Sequence, residues 1–225
     1  MEINTNQIFD AVNQILESIP SHVTLQAAVK GRSVAEVETV IQAGVKQIGH
    51  NYVQEAIPFI QLLGNRASWH MIGHLQRNKA KLAVHYFDMI ETVDSWRLAR
   101  TLDRRCENEG KSMPVLIEIN SGREASKTGV FPEDVDLLVE KMSTLKNIHV
   151  EGLMTMGPRF GNPEDSRPFF KTTREIFERF AAQPIPNVEM RFLSMGMSNS
   201  YTIAIEEGAN IIRIGTKLFS NQEGR

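Results

Sequence analysis

The sequence predicts an α/β protein, closed as a single (β/α)8 TIM barrel with an extra helix at its N-terminus. Three observations carry that expectation. Short apolar runs alternate with helical periodicities along nearly the whole chain. The 225 residues are close to what one such barrel needs. The competing arrangement, an open doubly wound sheet, lacks its usual marks: there is no G-x-G-x-x-G after the first strand and no G-x-x-x-x-G-K-[ST] loop.

Each element has its own signal. Ile8, Val12, Ile15 and Leu16 recur at helical spacing between Ile3 and Ser18, and Ile19-Pro20 ends that lead-in helix. Val23–Val29 reads as a strand, and Ser33-Val-Ala-Glu36 has the form of a capping box, so a helix opens there and closes at Gly44. Strands follow at Val45–Gly49, Ser68–Ile72, Phe87–Thr92, Met113–Ile119, His149–Met154, Val188–Leu193 and Ile211–Ile214. Helices are expected over 51–63, 76–84, 94–108, 132–142, 164–181 and 201–207, with a final helical turn from Lys217 to Phe219. Between Val45 and Thr92, where boundaries are hardest to fix, one short strand beyond the eight is expected. No interdomain linker interrupts the pattern, so residues 1–225 read as one domain.

Composition excludes several classes. Hydrophobic residues make up 41% and charged residues 23%, an ordinary globular balance. A net charge of −2 gives no reason to expect nucleic acid or an anionic membrane as partner. Cys106 is the only cysteine, which leaves no intramolecular disulfide and no thiolate metal cluster. The polar, acidic start of the chain does not read as a signal peptide, and no apolar run approaches the roughly 20 residues that span a bilayer. The expected setting is cytoplasmic, and the expected state is a monomer.

In a barrel, residues just past each strand share one face, and chemistry is placed there. Here that set holds Lys30, His50-Asn51, Gly73-His74, Thr92, Asn120, Met154-Thr155, Ser194 to Ser198 and Arg213 to Thr216. It lacks the carboxylate cluster of a divalent-metal site or a glycosidase pair, and the histidines are too scattered for a metal site. Lys30 follows Ala27, Ala28 and Val29. Desolvated by them, its ammonium form would be disfavoured and a nucleophilic amine left, which makes imines with aldehydes. Taken in isolation, a lysine that closes a strand and snorkels to water explains it as well. The loops Ser194-Met-Gly-Met-Ser198 and Arg213-Ile-Gly215-Thr216 change the weighting. Glycines, hydroxyls and helix starts after the last two barrel strands suit a phosphate. A ligand with an aldehyde and a phosphate fits this face, and pyridoxal 5′-phosphate (PLP) has both.

Several strings then carry a family resemblance: Ala28-Val-Lys30, Ile48-Gly-His-Asn-Tyr-Val-Gln-Glu55, Trp69-His-Met-Ile-Gly-His-Leu-Gln-Arg-Asn-Lys79, Thr92-Val-Asp-Ser95, Gly152-Leu-Met-Thr-Met-Gly157, Leu193-Ser-Met-Gly-Met-Ser198 and Arg213-Ile-Gly-Thr216. From about Val23 to Phe219 the chain resembles the pyridoxal phosphate homeostasis proteins (the YggS/PROSC group), related to the N-terminal barrel domain of alanine racemase. The resemblance implies that Lys30 holds PLP as an internal aldimine and that Asn51 lies beside the cofactor. It places Ser194, Ser198, Gly215 and Thr216 in the phosphate cradle and Arg213 against the pyridine nitrogen. Two positions depart from the family's pattern. Gly49-His50-Asn51 stands where Gly-Glu-Asn is usual, and Met197-Ser198-Asn199 where Met-Ser-Asp is frequent. Each exchange removes a carboxylate, and the first sets a titratable ring beside the site.

An arginine at the pyridine nitrogen disfavours its protonation and weakens the ring as an electron sink. Alanine racemases, similar in fold, take a catalytic tyrosine from a second, C-terminal β domain of the partner subunit. This sequence ends at Arg225 without one; of its tyrosines, only Tyr52 and Tyr201 come near the expected mouth. The reading is therefore a non-catalytic PLP carrier that buffers the aldehyde and hands it to PLP-dependent apoenzymes. A PLP-dependent amino-acid racemase of the same fold is the first alternative. A cofactor-free Schiff-base aldolase or lyase, with Lys30 attacking a phosphorylated carbonyl substrate, is the second. Ser126-Lys127-Thr-Gly129 reads as a solvated loop. The basic string Arg77-Asn-Lys79-Ala-Lys81 reads as a solvated helix face, and Leu153, Met154 and Met156 as filler at the barrel end.

Overall fold

A computed structural model describes residues 5–124, 127–158 and 161–219. Its strands are β1 (Thr24–Ala28), β2 (Gln47–His50), β3 (Ser68–Met71), β4 (Met89–Val93), β5 (Met113–Ile119), β6 (Ile148–Thr155), β7 (Val188–Ser194) and β8 (Ile211–Ile214). All pair in parallel and in chain order, and β8 returns to β1, where Thr24 sits opposite Ile211. The barrel expected from the sequence is closed, with α1 (Thr5–Ser18) ahead of its first strand.

The helices are α2 (Val34–Gln42), α3 (Val53–Leu63), α4 (Ala80–Tyr86), α5 (Trp96–Glu109), α6 (Val135–Met142), α7 (Arg167–Ala181), α8 (Tyr201–Glu206) and α9 (Thr216–Phe219). Their starts follow local chemistry. The Ser33 hydroxyl accepts from Glu36 N–H while the Glu36 carboxylate takes Ser33 N–H, the reciprocal pair the sequence announced for α2. Ser95 caps α5 through Leu98 N–H, and Gly110, at φ 62°, ends it in the left-handed region. Ile8, Ala11, Val12 and Ile15 bury one face of α1, which packs against α2 and α9.

The short strand expected beyond eight does not form. Among the described residues between Val45 and Val93, β2, β3 and β4 take up the apolar runs and the rest is helix, 3₁₀ turn or loop. β4 starts at Met89 rather than Phe87 because Phe87 N–H closes α4 on Ala83 O and the Asp88 carboxylate accepts Trp69 N–H. The helices expected from 76, 132 and 164 each begin as a 3₁₀ turn, and the α-helix proper starts later, at Ala80, Val135 and Arg167. Ile3 and Ser126, part of two expected features, lie outside the described residues.

Strand alternation sorts two cores. Outward positions such as Ile48, Trp69, Ile90, Ile117 and Leu193 join the large apolar cluster under the helices. Inward positions divide into an apolar group, Met89, Leu116 and Met154 against Phe192, and a buried polar group: Gln26, His70, Glu91, Glu118, Ser194 and Arg213. No helix among the described residues is long and apolar enough to cross a membrane.

Candidate functional site

Lys30 lies two residues past the end of β1, and its side chain is exposed. The desolvation expected from Ala27, Ala28 and Val29 is therefore not how the structure holds it: those residues pack within and around the strand, and the amine clears them. The ammonium instead stands over the Tyr52 ring, 5.3 Å from its centroid, a cation–π contact that fixes where the amine rests.

The end of β8 comes close to the end of β1. A Cβ at Gly215 would sit 3.1 Å from the Ala28 carbonyl oxygen, so a glycine there keeps the loop against the strand that carries Lys30. The two loops expected to form a cradle are stitched together. Lys217 N–H donates to Ser198 Oγ at 3.4 Å, and Arg213 N–H to Gly196 O at 3.0 Å. Gly196 adopts φ 93°, and a Cβ there would be 2.6 Å from the Ala204 methyl. Ser198, Gly215 and Thr216 are thus gathered beside Lys30's strand, with Thr216 opening α9. Asn51 lies at the end of β2, packed so tightly on Gly73 that a Cβ at Gly73 would be 2.3 Å from Asn51 O. Thr92 holds that turn by donating to Gly73 O at 2.7 Å.

Ser194 and Arg213 belong to the barrel interior. Arg213 Nη1 donates to Ser194 Oγ at 2.5 Å and Nη2 to Thr155 O at 2.7 Å. Ser194 Oγ donates to Glu91 Oε2 at 2.6 Å, and Gln26 Nε2 donates to Glu91 Oε1 at 2.6 Å. His70 Nδ1 lies 2.7 Å from Glu91 Oε1, with Ser68 Oγ 3.0 Å from its other nitrogen. The Ser194 hydroxyl is therefore engaged on both sides, and the structure brings it to Arg213 rather than to Ser198. Burial alone would raise the Glu91 carboxyl. Its bond to His70, the charges of His70 and Arg213 and the bond from Ser194 hold it below the ordinary carboxylate range. A carboxylate thus accompanies the buried guanidinium, which has five N–H donors and spends two on the partners just named.

Two further groups matter. Glu118 is buried in the same interior; Thr128 Oγ1 donates to its Oε1 at 2.8 Å, and Oε2 has no partner among the described residues. Burial pushes this carboxyl up. His50, read as a titratable ring beside the site, points the other way. It packs on Phe59 and Trp69 at centroid distances of 5.0 and 5.9 Å, 2% exposed, and burial brings its pKa down to about 4. It is a neutral core residue at physiological pH.

Gln26, Glu91 and Glu118 were not singled out in the sequence, although each is a polar residue inside a strand of otherwise apolar neighbours, which is the one signal that could have found them. Tyr52 and Tyr201 both come to this side, under the ammonium groups of Lys30 and Lys217, whereas Tyr86 packs on His85. Together the face offers an exposed primary amine, a glycine-and-hydroxyl cradle and a buried arginine with donors to spare. That set suits a small ligand with a carbonyl, a phosphate and a ring acceptor.

Residues 3–222 match the family described as alanine racemase, N-terminal domain. A pyridoxal phosphate homeostasis protein of Aquifex aeolicus is 42% identical over 181 residues, covering 80% of this chain and 78% of that protein. The Escherichia coli K12 protein of the same description is 34% identical over 209 residues, covering 91% and 88%. Among solved structures, PipY of Synechococcus elongatus PCC7942 with PLP bound superposes with a TM-score of 0.86 at 32% identity, covering 95% of this chain and all of that one. An alanine racemase of Clostridium difficile shares the fold at TM-score 0.79 and 14% identity, and this chain spans 57% of its length.

Proposed function

This chain belongs to the pyridoxal phosphate homeostasis family, and from that premise we propose that it is a PLP carrier without robust catalysis, acting as a one-domain cytoplasmic monomer. PLP, when bound, supplies an aldehyde, a phosphate and a pyridine nitrogen. The residues present fit each of the three. Lys30 would hold the aldehyde end through its side-chain amine, and the aldehyde would supply reversible imine chemistry there. Ser198, Gly215 and Thr216 form the phosphate cradle beside it, and Asn51 borders the ring. Ser194 contributes indirectly, by fixing Arg213.

Arg213 would face the ring nitrogen with its positive charge and so disfavour a proton there. Racemisation needs acid and base groups on both faces of the substrate carbon. Tyr52 and Tyr201, the two tyrosines on this side, each lie beneath an ammonium group rather than beside a base. The observation that carries the reading is the exposed Lys30 amine next to the close approach of Gly215 to Ala28. That approach of the β8 loop to the strand carrying Lys30 supports an amine and a phosphate cradle within one site.

The test is a visible absorption spectrum of the purified chain with PLP, then borohydride reduction and peptide mapping. A reduced adduct on Lys30, with negligible turnover of common amino acids, is expected. An adduct on another lysine overturns the site, and brisk racemisation by the loaded protein overturns the carrier role.

A further inference from the structure

We propose that the outer face of α4 and α5 is a docking surface for a protein partner that presents a carboxylate-rich patch beside the barrel mouth. The pattern of ion pairs singles this face out. Elsewhere the described arginines are neutralised, from Arg32 with Glu36 to Arg191 with Glu151, and Arg213 reaches Glu91 through Ser194. Arg77, in the 3₁₀ turn that leads into α4, and Arg97, Arg100, Arg104 and Arg105, on α5, have no carboxylate partner among the described residues. Arg97, Arg100 and Arg104 are exposed and follow one stripe of a helix about 21 Å long.

The acids nearby are already engaged by neutral or weakly basic groups. Asp103 accepts the N–H groups of Lys146 and Asn147, Asp94 takes Ser95 and His74, and Glu109 takes His85. Glu107 is the exposed exception on α5. Both ends of the helix pair are open and basic. At the mouth, a cleft of about 490 Å³ is lined by Arg77 and Arg97 together with His74, Asp94 and Thr128. At the far end, a cleft of about 620 Å³ is lined by Lys81, His85, Arg105 and Lys111, with Asn108 and the His85-paired Glu109 beside them.

Charge and composition favour a protein over a nucleic acid. The whole chain carries −2 and lacks the strongly basic balance of a nucleic-acid binder, so attraction for an anion is confined to this local patch. Tyr86 and Trp96 are half-buried, so among the described residues of these helices no Phe, Tyr or Trp is fully open for a base to stack on, whereas Leu82 is exposed on α4 between Lys81 and His85, an apolar anchor inside a basic rim. A partner seated here borders the loops that follow β3, β4 and β5. That such a partner receives PLP rests on the carrier reading; the surface itself does not.

Fluorescence anisotropy of labelled poly-L-glutamate, with labelled oligo-deoxythymidylate of equal charge as competitor class, tests this on the full chain. Salt-sensitive binding of poly-L-glutamate is expected, weakened about tenfold by joint Arg97→Glu, Arg100→Glu and Arg104→Glu. Arg174→Glu on α7, whose arginine already pairs with Glu178, leaves it unchanged. Joint substitution of the same three by Gln gives a smaller loss in the same direction, which separates docking from misfolding. No binding of poly-L-glutamate at low salt, or equal weakening by Arg174→Glu, overturns the surface. Tighter binding of the oligonucleotide through the same arginines overturns the choice of partner. PLP loading, read by absorbance in each variant, stays at the parent level; a chain that never loads PLP sinks the carrier reading and leaves the surface standing.

Discussion

Ser194 accepts the Arg213 guanidinium at 2.5 Å with its hydroxyl oxygen, deep in the barrel and away from the Ser198 loop. The same hydroxyl donates to Glu91, so one small side chain links a buried cation to a buried anion. That pairing offsets the cost of burying the Arg213 charge.

Ser194→Ala leaves both buried charged groups short of a bond. It is expected to cost about 2–3 kcal/mol of unfolding free energy, the range for hydrogen bonds to charged groups. Urea titration reads the loss. A second readout separates this role from a phosphate contact: the ratio of PLP to pyridoxal affinity stays at its parent value. A selective loss of PLP over pyridoxal would return Ser194 to the cradle.

Glu118 makes the opposite demand on pH. Its folded pKa is raised above 4.5, chiefly by burial, so the stability its neutral form contributes is full below pH 4.5 and is lost as pH rises through the raised value. Glu118→Gln keeps the acceptor for Thr128 and removes the ionisation. The variant is expected to exceed the parent in stability at pH 8 and to match it near pH 4. Equal stabilities at both pH values would show that this carboxyl ionises freely.

What the sequence made legible was local. The Ser33–Glu36 box, the stop of α5 at Gly110 and the alternation of eight strands all rest on neighbours within a few residues, and all stand in the structure. The glycine and hydroxyl loops after β7 and β8 were readable for the same reason. The interior network was not, because Gln26, His70, Glu91, Ser194 and Arg213 come from five strands and meet only when the barrel closes. His50 shows the complementary failure. Its position past a strand suggested the mouth, yet strand parity turns it outward, and a difference of one residue in register reverses the face.

His50 gives a pH dependence of its own. The folded pKa is about 4 against an ordinary 6.5, because burial between Phe59 and Trp69 penalises the charged ring. The unfolded chain binds more protons across that interval, so stability is full above pH 6.5 and falls as pH drops toward 4. His50→Phe is expected to flatten that part of the profile, removing an acid-side loss of about 2–3 kcal/mol. Thermal melts between pH 4 and 7 make the comparison, and a variant that retains the parent's slope would assign it to other groups. PLP affinity between pH 6.5 and 8 is expected to be the same in both proteins, since the ring carries no charge there.

Packing and site meet at Gly73. A methyl group there would lie 2.3 Å from Asn51 O and 2.7 Å from Asn51 Cα, and both are backbone atoms that cannot swing aside. The strain can be relieved only by moving the β2 end, which carries Asn51 and leads to Tyr52 beneath Lys30, or the Gly73 turn that Thr92 holds. Gly73→Ala is thus expected to cost about 2 kcal/mol or more in stability and to weaken PLP binding, although residue 73 supplies no side chain of its own. Thr92→Val, which removes only the bond to Gly73 O, is expected to follow in the same direction by about 1 kcal/mol. Absorbance titration beside urea unfolding reads both quantities. If Gly73→Ala lowers stability and leaves PLP affinity untouched, the β2 end does not shape the site, and Asn51 loses its place beside the ring.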